Sequence, residues 1–235
     1  MLPLFYSEKV NDGNDPIILD EDTSKHIVQV LRMKKNDRLQ LTDGNGRIFT
    51  AAIVDNHKKK VAVQVQESRY KEQDRRIVTI AISLLKNANR FEWFLEKATE
   101  IGIVEIIPMI CERTERLHFR LDRMQNILVS AMLQSQQCWM PQLRMPHPFM
   151  QVVESAIQPQ KFIAHCVEEE KRNLADLMNG SLQAQIMLVG PEGDFTPQEI
   201  DMAINHHFIP VSLGQNRLRA ETAGVVAAAL MKLNG

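Results

Sequence analysis

The sequence predicts an α/β protein in two parts: a small β-rich module over residues 1–70 and a larger α/β domain with a mostly parallel sheet over residues 71–235. Three observations carry this reading. Short strand candidates separated by turn residues fill the first part. Buried-type apolar runs alternating with helical patterns fill the second. Between them, Ser68 to Arg76 is polar and charged, the composition of a domain boundary.

In the first part, Asp12-Gly13-Asn14 and Asp43-Gly44-Asn45-Gly46 are turn signals. The second stands between Arg38–Leu41 and Ile48–Val54 and predicts a hairpin. Lys60–Val65 alternates polar and apolar residues as a third strand. One helix interrupts them, with Thr23 or Ser24 as cap and Ile27, Val30 and Leu31 on one face. The module reads as barrel-like.

In the second part, Ile77–Leu84 is a strand buried on both faces. A helix follows near Asn89, with Phe91, Phe94, Leu95, Ala98 and Ile101 at helical spacing and Gly102 as its stop. Ile103–Ile110 is the next strand, so these residues form a parallel βαβ unit. A long helix is expected over Leu121–Cys138. Further strands are expected over Phe162–Cys166, Ile186–Gly190 and Val211–Leu213, and an alanine-rich helix over Thr222–Leu233.

The formal net charge of −1 excludes a global positive field for nucleic acid, so any RNA contact must be local. Such a patch exists. From Lys25 to Arg75 the chain carries twelve Lys or Arg against six Asp or Glu. Arg32, Lys34 and Lys35 are the favoured phosphate contacts, and Lys58-Lys59-Lys60 reads equally as a solvated turn. Cys111, Cys138 and Cys166 have neither disulfide-framework nor zinc spacing, so no metal is expected. With no signal-peptide pattern and no membrane-spanning apolar run, a cytoplasmic protein is expected. Dinucleotide-binding, Walker A, zinc-protease and nucleophile-elbow motifs are absent.

Two segments carry chemistry. In Leu188-Val189-Gly190-Pro191-Glu192-Gly193-Asp194-Phe195-Thr196-Pro197-Gln198-Glu199, a buried strand ends in a glycine turn and enters a helix capped by Thr196, with Pro197 at its first position and Glu199 completing a capping box. In Leu213-Gly214-Gln215-Asn216-Arg217-Leu218-Arg219-Ala220-Glu221-Thr222-Ala223-Gly224, another strand ends in glycine before a charged loop and an apolar helix. Loops at the carboxyl ends of parallel strands are where ligands bind. Each segment taken alone is also compatible with an ordinary turn or a solvated loop.

Together these segments resemble the signature of the RsmE family of SPOUT RNA methyltransferases. The resemblance extends through His26, Val30, Leu31 and Arg32, through Lys86, Glu92, Lys97, Thr99, Glu100 and Gly102, and through Glu112, Arg113 and Thr114. It runs from about residue 23 to the end. Departures fall at Leu133 and Gln137 on the long helix, and at Asn216 and Arg217 in the last loop.

The resemblance implies a PUA-like N-terminal β-barrel joined to a SPOUT domain with a C-terminal trefoil knot. It implies a homodimer and S-adenosylmethionine as cofactor, bound by His165, Leu188, Gly190, Glu192, Gly193, Leu213, Gly214, Leu218 and Thr222. It also implies methylation of uridine N3 in 16S rRNA of the small subunit, as free RNA or assembled subunit. Arg219 is the expected catalytic residue, assisted by Arg113 or Lys86; His26, Arg32, Lys34 and Lys35 are the expected RNA contacts. Displacement at the methyl carbon needs no metal. The alternatives are a non-catalytic RNA-binding or ribosome-assembly factor on the same fold, or methylation of another nucleoside position. Cofactor binding discriminates the first.

Overall fold

A computed structural model of the chain describes residues 2–13, 15–167, 171–178 and 183–233. The expected turn residue Asn14 lies outside the described residues. The chain divides into two compact units: Met1–Gln73 with Met132–Met140, and Asp74–Ala131 with Pro141–Gly235.

The first unit contains β1 (Leu4–Tyr6), β2 (Ile17–Ile18), α1 (Glu21–Lys25), β3 (Arg38–Thr42), β4 (Arg47–Asp55) and β5 (Ala62–Tyr70). Its strands form a half-barrel in the order β1-β3-β4-β5-β2. β3 and β4 make the expected antiparallel hairpin, and β5 continues it antiparallel to β4. Gly44 and Gly46 have φ of 74° and 89°, which a side chain would strain. The inward residues Leu39, Leu41, Phe49, Ala51, Ile53, Val61 and Val63 are fully buried.

Two expectations fail in the helix of this unit. Asp20, not Thr23 or Ser24, is its cap, accepting from the Thr23 N–H at 2.9 Å. Ser24 is buried instead, and its Oγ accepts from the Val61 N–H at 2.9 Å. After Lys25 the turn widens to π geometry over His26–Val30. The extra residue breaks the 3.6-residue register, so Ile27 points into the core while Val30 and Leu31 are 66% and 41% exposed. Arg32 follows with φ 55°.

The sequence predicts one long helix over Leu121–Cys138. The helix α3 (Leu121–Gln134) ends earlier. Gln136 takes φ 55°, and the N–H groups of Gln136 and Gln137 return to the carbonyls of Leu133 and Met132, a Schellman cap without glycine. The following residues lie along the hairpin turn: the Gly46 N–H donates to Cys138 O at 2.8 Å, and Trp139 Nε1 donates to Lys71 O at 2.9 Å. A Cβ on Gly46 would sit 2.4 Å from the Trp139 ring.

The second unit contains β6 (Val78–Ser83), α2 (Ala88–Ile101), β7 (Glu105–Ile110), most of α3, β8 (Gln142–Leu143), β9 (His147–Pro148), α4 (Phe149–Ser155), β10 (Gln160–Ala164), β11 (Arg172–Asn173), α5 (Leu174–Leu177), β12 (Gln185–Val189), α6 (Pro197–Asn205), β13 (Ile209–Ser212) and α7 (Ala220–Leu233). Its sheet runs β11-β13-β10-β12-β6-β7-β8, with β9 also on β7, and every pairing is parallel. β6 and β12 are buried along their whole length, as their unbroken apolar character requires. α2 and α7 pack together, and Gly224 makes room: a Cβ there would fall 2.7 Å from the Phe94 ring. From β6 the chain steps outward to β7 on one side, while β12, β10 and β13 lie on the other. Such a reversal opens a crevice at the carboxyl ends of the strands.

Candidate cofactor and substrate site

Loops leaving the adjacent strands β10, β12 and β13 meet at that crevice. The loop after β12 is built rigidly from its own sequence. At Gly190 a Cβ would lie 3.1 Å from the Phe195 ring, so any side chain there would crowd the loop as it folds back. Asp194 takes φ 63°, and its N–H closes a turn on Pro191 O at 2.9 Å. Phe195 is 1% exposed and packs on Phe149. Thr196 and Glu199 form the expected capping box at the start of α6.

Neighbouring loops then hold this one. Arg113 Nη1 donates to the carbonyls of Gly193 at 2.7 Å and Phe195 at 3.3 Å. Glu199 Oε1 accepts from the Glu112 N–H at 2.9 Å. Glu192 Oε1 accepts from the Lys86 N–H at 3.1 Å, and Asp194 Oδ2 from the Cys166 N–H at 2.8 Å.

The loop after β13 is different. Ser212 Oγ donates to Gly214 O at 2.9 Å, and the Arg219 carbonyl accepts from the Ala223 N–H at 2.8 Å where α7 begins. Gly214 has φ 141° and open space where a Cβ would stand. Residues 214–217 and Arg219 are exposed.

Two cavities lie between these loops. One of about 460 Å³ is lined by His165, Cys166, Lys171 and the segment 211–218. The other, about 390 Å³, is lined by Gly190, Glu192, Asp194, Arg90, Arg217 and Arg219 among others. They share Ala164, Cys166, Arg217, Leu218 and Ala223, and so adjoin.

Of the expected cofactor residues, the structure brings His165, Gly190, Glu192, Leu213, Gly214 and Leu218 to these cavities. Leu188 lies in the core, fully buried on β12. Gly193 is exposed and lies against Arg113, and Thr222 is half-buried on α7; neither lines either of these two cavities. Among the expected catalytic residues, Arg219 is on the cavity wall. Arg113 and Lys86 are engaged elsewhere, Arg113 on loop carbonyls and Lys86 Nζ on Glu115 at 2.7 Å. That hydrogen bond and the charge of Glu115 hold the Lys86 ammonium protonated above its ordinary range, so Lys86 is unsuited to accept a proton.

Sequence reasoning missed Arg90, Arg217 and Cys166 at the cavity. A signal for Arg90 existed: it is a cation in the first turn of α2, where the helix dipole disfavours positive charge. In the first unit, His26, Arg32, Lys34 and Lys35 are all exposed, and His26 meets Phe5 edge-on at 5.9 Å. No cluster of three or more metal-ligating side chains occurs among the described residues, and no described helix is long and apolar enough to cross a membrane.

Known proteins resemble the chain over most of its length. The RNA methyltransferase domain family matches residues 72–232, and the RNA methyltransferase PUA domain family matches residues 19–66. The ribosomal RNA small subunit methyltransferase E of Synechocystis is 35% identical over 210 residues, 87% of this chain and 68% of that protein. The crystal structure of a probable rRNA methyltransferase from Porphyromonas gingivalis superimposes with a TM-score of 0.88 at 38% identity, covering 97% of this chain and 95% of that one. A ribosomal RNA small subunit methyltransferase E from Neisseria gonorrhoeae, bound to S-adenosyl methionine, gives 0.85 at 28% identity, covering 98% and 97%.

Proposed function

The chain belongs to the ribosomal RNA small subunit methyltransferase E family, and from that premise we propose that it transfers the methyl group of S-adenosylmethionine to N3 of a uridine in small-subunit rRNA. One observation carries the reading: three strand-end loops converge on adjoining cavities whose wall holds three arginines, Arg90, Arg217 and Arg219.

The residues present fit the cofactor. Backbone of the segment 213–218 lines one cavity and can offer donors and acceptors at close range. Gly190 keeps the other clear of side chain, and the carboxylates of Glu192 and Asp194 suit a sulfonium cation. Bound there, S-adenosylmethionine supplies a methyl carbon whose bond to sulfur breaks as a bond to the nucleophile forms, the electron pair leaving on sulfur. Residues of the chain must do the rest. Neutral uracil N3 is a poor nucleophile, because it carries a proton and its lone pair is delocalised. Its anion is good, and the released proton goes to solvent. Arg219 donates to a carbonyl oxygen of the base and stabilises the negative charge with planar, permanently charged donors. Arg113 serves indirectly, keeping the loop of Gly193 and Phe195 in place.

The first unit delivers the RNA. Arg32, Lys34 and Lys35 supply phosphate contacts, and the π turn sets exposed Val30, Leu31 and His26 beside them. The target base must be unpaired or flipped out. We read the protein as a cytoplasmic homodimer paired through α7, where Val225, Val226, Ala229 and Leu230 keep partial exposure. We read the return of the chain from β13 to α7 as the trefoil knot.

The test is methyl transfer to small-subunit rRNA, free and assembled, with mass spectrometry of the nucleosides. Appearance of 3-methyluridine is expected; methyl on another atom, or none, would refute the assignment. Replacing Arg32, Lys34 and Lys35 together by alanine should weaken RNA binding across sequences and flatten its salt dependence by roughly one unit of slope per lost contact.

A further inference from the structure

We propose that Arg90 faces the substrate in methyl transfer and that buried Glu221 is its positioning residue; this rests on the function assigned above. Arg90 stands in the first turn of α2 and Glu221 in the first turn of α7. The close approach of the two helices over Gly224 and Phe94 brings these turns together. Arg90 Nε lies 3.6 Å from Glu221 Oε1.

Glu221 is 6% exposed, and its Oε2 has no hydrogen-bond partner among the described residues. A buried carboxylate oxygen left unused is costly, and such groups need an explanation. A cation in the first turn of a helix is also unfavourable. The two choices make sense together. The carboxylate turns the guanidinium to the cavity wall, where Arg90 lines the same space as Gly190, Glu192 and Arg219. Nε faces Glu221, which leaves the two Nη groups for an acceptor.

Arg217 and Arg219 line the cavity from an exposed loop and make no ion pair with a described residue. Of these three arginines, Arg90 is therefore the one that has a buried partner before substrate arrives. Negative charge spreading onto the uracil carbonyls as N3 loses its proton calls for a donor of that kind, because a donor already in place need not reorganise during reaction.

Single-turnover methyl transfer at saturating RNA and cofactor, with calorimetry of S-adenosylmethionine binding and thermal melts, tests the pair. Arg90→Gln should lower the rate about 10²-fold, the effect of one lost anion donor, with cofactor affinity retained. It should also move the rise of rate with pH to higher pH, since the bound uracil anion loses a cation. Arg90→Lys, which keeps charge and loses the planar fork, should fall between. Glu221→Gln should lower the rate about tenfold, a partial loss of the same stabilisation, and add nothing in the Arg90→Gln background. A full rate or an unmoved pH profile in Arg90→Gln overturns the proposal. So do multiplying losses in the double variant, or rate losses explained by weaker cofactor binding. If Glu221→Gln does not fold, the rate and pH profile of Arg90→Gln still decide. A wild-type protein that moves no methyl group to small-subunit rRNA overturns the assigned function itself, which separates the two failures.

Discussion

The two glycine-containing loops at the crevice look alike in sequence and differ in construction. The loop after β12 is gripped by Arg113, Asp194, Glu192 and a buried Phe195, and it runs into a helix closed by a capping box. The loop after β13 is exposed, and Gly214 has empty space around it. One loop is a wall made by other loops; the arginines of the other make no ion pair with a described residue. The contrast implies a division of labour, in which damage to the wall harms cofactor binding and loss of the open loop's arginines harms the chemical step.

The largest expected effect tests the wall. Gly193→Val places branches where Arg113 side-chain atoms already stand 3.4–3.5 Å from a Cβ. Hydrogen bonds to a charged group are worth about 1.5–3 kcal/mol each, so loosening both Arg113 contacts should cost about 10²-fold or more in S-adenosylmethionine affinity. Calorimetry reads the loss, and circular dichroism should show an intact fold. Wild-type affinity would erase the distinction between the loops.

Arg219→Lys probes the opposite side. The methyl-transfer rate should fall about 10²-fold while cofactor affinity stays nearly constant. A rate loss that follows affinity would make Arg219 part of the wall. Smaller is Gly214→Ala. Its φ of 141° strains any side chain, at about 1–3 kcal/mol, yet the site is open and the loop can relax. Cofactor affinity should drop by about tenfold at most, with Tm unchanged; a large fall in Tm would show the loop to be as built as its neighbour.

The smallest effect is a matter of labelling. Cys166 is exposed at the junction of the two cavities. Cys111 is buried, and that burial, with the charge of Glu199, pushes its thiol well above the ordinary range. A thiol reagent at neutral pH should therefore modify Cys166 first, and S-adenosylmethionine should slow that reaction several-fold while leaving Cys111 untouched until unfolding. Equal rates with and without cofactor would place the cofactor away from Cys166.

The legibility of the sequence follows the same physics. Features set by neighbours in sequence were readable: the Asp43–Gly46 hairpin, the Gly102 stop, and the Thr196–Glu199 capping box, which depends on residues three apart. Features set by contacts across the chain were not. Nothing local marks the π turn that expels Val30 and Leu31 from the core, or tells that Gln136 leaves the helix. The site divided likewise. Glycines at strand ends pointed to the crevice, whereas Arg90 reaches it through a partner 131 positions away in the sequence, Glu221. Arg113 was legible as important, yet its task of holding two carbonyls is visible only in three dimensions.

The strip Met132–Met140 has a consequence for how the protein is made. The first unit is discontinuous: its strands are complete at Tyr70, but Trp139 and Cys138, which lie against Gly46 and Lys71, come from beyond a long stretch of the second unit. A ribosome adding roughly 5–20 residues per second needs several seconds to produce them. Throughout that interval the hairpin turn at Gly44 and Gly46 stands bare, with the main-chain groups that later pair with Cys138 and Met140 open to water. The first unit therefore closes late, after the whole of α3 has been synthesised. Cutting the gene at residue 73 would give a fragment permanently arrested at that uncovered stage.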